Sequence, residues 1–230
     1  MPRIQATELQ PSPVGPIRIP IMPIEIELKL SFPAEALPEI MRHPIIASAP
    51  RREEPFILDN TYFDTPSLAL KAHGVALRLR QQENDVLQTV KCSAETVDGL
   101  SRRPEWETPW RGRFDFSAVT DAAVAALLTR VQDDLVPIFT TRFSRDIRHI
   151  QPRPGVYILA MIDTGFVKAG ENDIPIHELE LELVEGDESD LVHLAGELRK
   201  TLPLAFESVS KAQRGHQLVK FDRAGANSVN

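Results

Sequence analysis

The chain has 230 residues and a formal net charge of −7, with 42% hydrophobic and 26% charged residues. This composition is typical of a globular protein with one large domain or two small ones. No run of about 18 apolar residues and no basic-then-apolar leader occurs, so we expect neither a membrane span nor export. The acidic balance argues against a nucleic-acid-binding protein. The single cysteine, Cys92, allows no internal disulfide and fits a cytoplasmic location.

The first 23 residues contain six of the 19 prolines. Proline cannot donate to a backbone hydrogen-bond ladder, which predicts an extended or disordered tail over residues 1–23. Two interpretations stay open: translation from Met22, or a true flexible arm. We expect one domain over residues 24–222 and a short disordered tail over residues 223–230.

Alternation of apolar and polar residues with period 2 predicts eight strands. They cover residues 24–30, 56–64, 75–82, 86–92, 105–110, 138–150, 156–167 and 176–184. Helices are predicted over residues 34–42, 121–130, 188–202 and 209–221, with Ser31 capping the first, and residues 43–55 are expected to form a loop. Many antiparallel strands with few helices predict a mostly β fold with α-helical cover (α+β), as a closed eight-stranded antiparallel barrel or a strongly curved sheet.

Three of these strands alternate apolar residues with charged ones. Because successive side chains point to opposite sides of a sheet, each charged set shares one face. A solvated face is the ordinary explanation. However, glutamates form strands poorly, and like charges at alternate positions repel one another unless counterions lie between them. The charged sets are Glu25, Glu27 and Lys29; Arg78 and Arg80; and Glu178, Glu180 and Glu182.

If the barrel closes with these charged faces inward, its interior must hold water or a compensating ligand, because burying unpaired arginines is costly. Guanidinium groups match phosphate oxygens in geometry. Carboxylates suit Mg²⁺ or Mn²⁺, which also bridge to phosphates. The pattern therefore favours a short polyphosphate bound together with a divalent cation.

The strand Glu25-Ile26-Glu27-Leu28-Lys29 forms an ExExK motif, and further motifs follow in order. They are Tyr62-Phe63-Asp64-Thr65, Gly74 to Arg80, Thr89-Val90-Lys91, Arg103-Pro104-Glu105, Arg142 to Arg145, Val167 to Gly170, Glu178 to Glu182, and Ser210 to Gly215. Together they resemble the CYTH superfamily of triphosphate tunnel metalloenzymes, most closely its bacterial inorganic triphosphatase branch. A CHAD domain often follows in that branch, and we expect none in this chain.

The resemblance implies an eight-stranded tunnel that binds triphosphate with metal. Basic residues at the family's phosphate-contacting, catalytic positions are Lys29, Arg78, Arg80, Lys91, Arg145 and Lys211. Acidic residues at its metal-binding positions are Glu25, Glu27, Asp163, Glu178, Glu180 and Glu182. Which two of the last three glutamates bind metal stays open, although Glu180 belongs to either pair.

Alternation along residues 138–150 conflicts with the resemblance at one position. It sends Arg142 inward and places Arg145 on the face of Phe139, Phe143 and Ile147, whereas the resemblance favours Arg145. A bulge would reconcile the two. We expect Arg145 to face the interior.

The resulting hypothesis is metal-dependent hydrolysis of inorganic triphosphate, a small-molecule substrate, to diphosphate and phosphate. A thiamine triphosphatase or an adenylate cyclase acting on ATP stays open on the same scaffold, as does a non-catalytic polyphosphate-binding module. The sequence leaves the choice between Mg²⁺ and Mn²⁺, and the oligomeric state, open.

Overall fold

The computed structural model describes residues 24–93 and 96–226, with side chains up to Val219. The predicted tail at residues 1–23, and residues 227–230 of the tail predicted at residues 223–230, lie outside the described residues. The strands are β1 (Ile24–Ser31), β2 (Phe56–Asp64), β3 (Val75–Gln82), β4 (Asp85–Cys92), β5 (Thr96–Val97), β6 (Leu100–Pro109), β7 (Val136–Ile150), β8 (Tyr157–Ala169), β9 (Asn172–Glu185) and β10 (Ala205–Phe206).

Six α-helices accompany the strands in the part of the chain that the structure describes. They are α1 (Leu37–Arg42), α2 (Pro44–Ser48), α3 (Ala69–Ala72), α4 (Ala122–Val131), α5 (Glu188–Arg199) and α6 (Lys211–Ala226), with 3₁₀ turns at Ala34–Ala36 and Gln132–Asp134. None of the described helices is long and apolar enough to cross a membrane.

Eight antiparallel strands close into a barrel in the order β1-β9-β8-β7-β2-β3-β4-β6, and β6 pairs back with β1. The closing ladder runs from the Ile24–Pro104 pair to the Leu28–Leu100 pair. Strands β5 and β10 add short pairings to β6 and β1. The structure thus confirms the predicted closed eight-stranded barrel with helical cover.

Two apolar clusters cover the outside of the barrel. One packs α1, α2 and α5 against outward-facing residues such as Leu28, Ile158 and Leu181. The other packs α3 and α4 against β3, β4 and β6, with Leu77 and Trp106 among its members. Because these faces bury the apolar half of each alternating strand, the charged half must face the interior.

Part of the inner surface is apolar. Inward-facing residues of β2, β7, β8 and β9 pack against α6, and this cluster includes Tyr62, Phe139, Phe143 and Ile176. At Gly215 of α6, an added Cβ would lie 2.2 Å from the Phe139 ring. A glycine here therefore lets α6 approach the inner face of the long strands.

Four local predictions differ from the structure. Residues 43–55 contain α2, because Pro44 occupies its first turn and the His43 ring accepts a hydrogen bond from the Ile45 amide. Ser31 caps no helix, and its hydroxyl donates to the Ala205 carbonyl. Strand β6 begins at Leu100, five residues before the predicted start. Helix α6 runs to Ala226, beyond the predicted end at residue 221.

Candidate functional site

A cavity of about 860 Å³ occupies the barrel interior. Ten of the predicted site residues line it: Glu25, Glu27, Lys29, Arg78, Arg80, Lys91, Arg145, Glu180, Glu182 and Lys211. The other two, Asp163 and Glu178, are buried beside Lys211 and contact its ammonium group. The structure therefore brings all the predicted site residues into one region, and most of them belong to two groups with different charge balance.

The first group, the Lys211 cluster, consists of Lys211, Asp163, Glu178, Glu180, Arg145 and Arg214. The Lys211 ammonium lies 2.8 Å from Asp163, 2.5 Å from Glu178 and 2.8 Å from Glu180. Carboxylate oxygens of these three acids all lie within 4.8 Å of one another. The ammonium thus occupies the centre of the one group of carboxylates among the described residues whose spacing alone would suit a metal ion.

Two arginines complete the charge balance of the Lys211 cluster. Arg145 donates to Asp163 at 2.7 and 2.6 Å and to Glu180 at 2.7 Å, and Arg214 pairs with Glu178. Burial alone would raise the pKa of Glu180, but Lys211 and Arg145 hold that pKa well below its ordinary value. Three carboxylates therefore face three cations in this cluster.

Local structure fixes where Lys211 lies. Ser210 and Gln213 form a reciprocal capping box at the start of α6, with N···O distances of 2.7 and 3.1 Å. Lys211 is the first residue of the helix, and its ammonium also lies 5.0 Å from the Phe143 ring centroid. The cap and the close packing at Gly215 together hold the lysine in the barrel.

The second group, the Arg103 cluster, consists of Arg103, Lys91, Glu25, Glu27, Glu105 and Glu182. Arg103 is aligned with Glu25 in the β1–β6 ladder. Its Nε donates to Glu25 at 2.8 Å and its Nη2 donates to Glu27. One guanidinium therefore bridges both carboxylates of the ExExK motif. Burial alone would lower the pKa of Arg103, but the negative charges of Glu27, Glu25 and Glu105 raise it above its ordinary value.

Lys91 is the second cation of the Arg103 cluster. Its ammonium lies 2.9 Å from Glu25 and 2.7 Å from Glu105. The Glu182 carboxylate makes no hydrogen bond or ion pair with any residue that the structure describes, although its backbone pairs with β1 and β8. Burial, followed by the negative charge of Glu25, raises the pKa of Glu182 to about 7. Two cations thus contact these carboxylates closely, and Lys29 and Arg78 lie farther off, 3.6 Å from Glu27 and 3.9 Å from Glu105. Glu182 is left without a cationic partner, which gives the cluster surplus negative charge when this carboxylate is ionised.

Two arginines of β3 have donors without acceptors. Arg78 Nη1 donates to the Tyr62 hydroxyl at 3.3 Å, but its Nε and Nη2 have no hydrogen-bond partner among the described residues. The same holds for Arg80 Nε. The Tyr62 ring stacks on Phe139 at 4.4 Å, which fixes the hydroxyl that contacts Arg78. Buried donors without acceptors are costly, so these groups fit an anionic ligand.

Lys29 lies between the two clusters, with its ammonium 3.6 Å from Glu27 and 3.9 Å from Glu180. Burial lowers the pKa of Lys29, and the two carboxylates, at these long distances, offset only part of that effect. This lysine is therefore available to move toward an anion that enters between the clusters.

The structure places Arg145 inside the barrel and Arg142 outside. Arg142 pairs with Asp59 and is 54% exposed. No bulge is needed, because the β7–β8 ladder is continuous from Thr140 to Ile150. The predicted inward direction of Arg145 is therefore correct. Arg145 shares its face of the strand with apolar residues because the inner surface of β7 is itself largely apolar.

The sequence predicted no role for three charged residues of β6, Arg103, Glu105 and Glu107, although the first and second belong to a motif of the family resemblance. Glu107 accepts a hydrogen bond from Thr89 at 3.1 Å and lies 3.6 Å from Arg80. The alternation Arg103, Glu105, Glu107 was the available signal. It was hidden because the predicted strand began after Pro104.

Asp64 has a structural role. It is fully buried and accepts hydrogen bonds from the backbone amides of Thr65, Leu70 and Lys71 at 2.7–3.0 Å. These bonds hold the turn that contains Leu68, whose φ is +60°. The conspicuous Tyr62-Phe63-Asp64-Thr65 motif thus combines an orienting tyrosine with a turn-forming aspartate.

A family model described as the CYTH domain matches residues 23–216. An inorganic triphosphatase of Haemophilus influenzae is 32% identical over 201 residues, which is 86% of this chain and 56% of that protein. The chain thus spans about half the length of this curated relative.

Two solved structures share the fold. A Hippeastrum protein described as a candidate adenylyl cyclase with dominant triphosphatase activity has a TM-score of 0.57 and 20% identity, covering 84% of this chain and 95% of its own. A candidate adenylate cyclase from Bacillus halodurans has a TM-score of 0.51 and 20% identity, covering 84% of this chain and 98% of its own.

Proposed function

This chain belongs to the CYTH domain family, and from that membership we propose that its barrel binds inorganic triphosphate with a divalent cation and hydrolyses it to diphosphate and phosphate. One observation carries the proposal. Arg78 and Arg80 keep buried N–H groups without acceptors in the same cavity as a carboxylate cluster with surplus negative charge. A polyanion chelated to a cation would satisfy both at once.

The basic residues form the substrate-binding set: Lys29, Arg78, Arg80, Lys91, Arg145 and Lys211. Arg78 and Arg80 offer their free donors first, since the ligand-free chain leaves those donors without acceptors. Lys29, at long ion-pair distance from its carboxylates, adds a third contact. In hydrolysis these groups stabilise charge on the equatorial and leaving oxygens of the attacked phosphoryl group, and no covalent nucleophile is required.

The carboxylates of the Arg103 cluster fit Mg²⁺ or Mn²⁺ best. Glu25, Glu27 and Glu182 are oxygen donors of the kind that these cations prefer, and their cluster has too few cations of its own. A bound cation would neutralise phosphate charge and lower the pKa of an attacking water. In this proposal Asp163, Glu178 and Glu180 orient Lys211 and Arg145 instead of binding metal, because those cations already neutralise them.

A specific observation also favours a second candidate, an organic triphosphate such as thiamine triphosphate or ATP. Apolar side chains form part of the lining of the same cavity, among them Phe56, Ile147, Leu159 and Met161. The cavity volume of about 860 Å³ is near the upper end of the range usual for drug-sized ligands. The apolar wall would accommodate an organic group attached to the terminal phosphate.

Phosphate release from inorganic triphosphate, thiamine triphosphate and ATP, each with Mg²⁺, Mn²⁺ or a chelator, tests these candidates. We expect metal-dependent turnover, fastest with inorganic triphosphate. Arg78→Ala and Glu27→Gln should each lower the rate by about 10²–10³-fold, whereas Arg142→Ala, outside the barrel, should retain wild-type activity. Full activity of both inward variants would overturn the proposal. Tight triphosphate binding without turnover under every metal condition would instead indicate a binding module.

A further inference from the structure

Arg103 occupies the position between Glu25 and Glu27 that a cation would share. Its Nε lies 2.8 Å from Glu25, and its Nη2 donates to Glu27. The guanidinium is the only group among the described residues that forms ion pairs with both carboxylates of the ExExK motif. The ligand-free chain thus neutralises these carboxylates with its own cation.

Charge balance distinguishes this cation from Lys211. In the Lys211 cluster three carboxylates face three cations, so an added divalent ion would meet a balanced and buried group. In the Arg103 cluster Arg103 and Lys91 are the two cations in close contact with the carboxylates, while Lys29 lies 3.6 Å from Glu27 and Arg78 lies 3.9 Å from Glu105. Among the described residues Glu182 has no ion-pair partner, so its negative charge is left over when it is ionised. Exchanging a single positive charge for a double one lowers the repulsion among these carboxylates, and it removes no ion pair from the Lys211 cluster.

The position of Arg103 on β6 also limits where its side chain can go. It lies on an inward-facing position of β6 and pairs with Glu25 of β1, and β6 goes on to pair with β4 from Glu105. A displaced guanidinium therefore stays inside the barrel. The acceptors that become available there on ligand entry are phosphate oxygens, for which its fork is well shaped.

We propose that Arg103 is a positioning residue that holds the place of the divalent cation between Glu25 and Glu27, is displaced when the cation binds, and then turns toward the polyphosphate. The inference rests on the proposed metal-dependent function of the same cavity. Metal binding would release a phosphate-binding group, and metal and triphosphate would consequently increase each other's affinity.

Binding of Mn²⁺ alone, measured by the electron paramagnetic resonance signal of the free ion, tests the proposal without turnover. Arg103→Met keeps the length of the side chain but removes the competing charge, so we expect Mn²⁺ to bind at least about tenfold more tightly than to the wild type. The matched control is Arg102→Met on the same strand. Arg102 points outward, is 61% exposed and pairs with Glu188, and its variant should bind Mn²⁺ like the wild type.

The outcomes separate the two proposals. If the wild type binds no Mn²⁺, the metal-dependent function and the inference both fail. If the wild type binds Mn²⁺ and Arg103→Met binds it equally or more weakly, only the exchange fails, because a purely structural arginine would give no gain in affinity.

A second measurement uses the wild-type chain, in case Arg103→Met does not fold. The Nε–H resonance of Arg103 in a nitrogen-15 spectrum should shift on titration with Mg²⁺, while that of Arg102 stays in place. An Arg103 resonance that is unmoved at saturating Mg²⁺ would overturn the exchange.

Discussion

The Lys211 cluster and the Arg103 cluster are built from the same kinds of side chain, yet they differ in charge balance. In the first, the carboxylate oxygens lie within 4.8 Å of one another, and the Lys211 ammonium lies between them. In the second, Glu182 has no cationic partner within ion-pair distance among the described residues. Proximity of carboxylates therefore identifies a cation site only when the carboxylates are not already balanced by cations of the chain.

Removal of Lys211 should have the largest effect on stability. Lys211→Met would leave Asp163, Glu178 and Glu180 with two cations instead of three, and we expect the free energy of unfolding to fall by about 3–5 kcal/mol. Chemical denaturation of the metal-free chain measures this change. Lys200→Met is the control, because Lys200 forms an exposed pair with Glu197 on α5. Equal stability of both variants would show that Lys211 does not neutralise the cluster.

Arg145 and Arg78 should separate stability from ligand binding. Arg145→Met removes charged hydrogen bonds to the fully buried Asp163, and we expect a loss of about 2–3 kcal/mol, limited because Lys211 still contacts that carboxylate. Arg78→Met removes a long hydrogen bond to Tyr62 and a long ion pair with Glu105, but it also removes two buried donors without hydrogen-bond acceptors. Stability should therefore change by less than about 1 kcal/mol.

Urea denaturation without metal or phosphate makes this comparison between the two arginines. Titration calorimetry with inorganic triphosphate and Ca²⁺ should then show weakened binding for both variants. An equal loss of stability in both would mean that Arg78 is part of the structural network and not a free anion-binding group.

Local alternation predicted the strands well wherever it was uninterrupted. The predicted bounds of β2 and β3 are confirmed to the residue. Strand β6 was predicted too short because Pro104 argues against a strand interior. The structure tolerates this proline because β6 changes partner there, pairing with β1 up to Pro104 and with β4 from Glu105 onward. That change of partner depends on closure of the barrel between β1 and β6, which the local alternation of residues cannot predict.

The charged faces of β1, β3 and β9 predicted the contents of the barrel, but not which charge neutralises which. Arg103 and Glu25 are 78 residues apart. Lys211 and Glu178 are 33 residues apart, and their contact depends on how α6 packs against the inner face of β7. Arg145 shows the same limit, since it is a charged residue on an inward face that is mostly apolar, with Phe139, Phe143 and Ile147. Pairing of charges is set by packing between distant elements, so alternation alone could not predict it.

The smallest expected effect concerns pH. Because the pKa of Glu182 is raised from 4.5 to about 7, the folded chain keeps a proton there that the unfolded chain has already released by pH 6. Stability of the metal-free chain should therefore fall as pH rises from 6 to 8, with Glu182 contributing about 1 kcal/mol to the fall. Glu182→Gln should remove that contribution, and Glu185→Gln, an exposed change on the same strand, should retain it. Thermal melting in the presence of a chelator provides the comparison. If Glu182→Gln lost as much stability as the wild type between pH 6 and 8, the carboxylate would be ionised throughout, and the surplus negative charge assigned to the Arg103 cluster would already be compensated by a cation nearby.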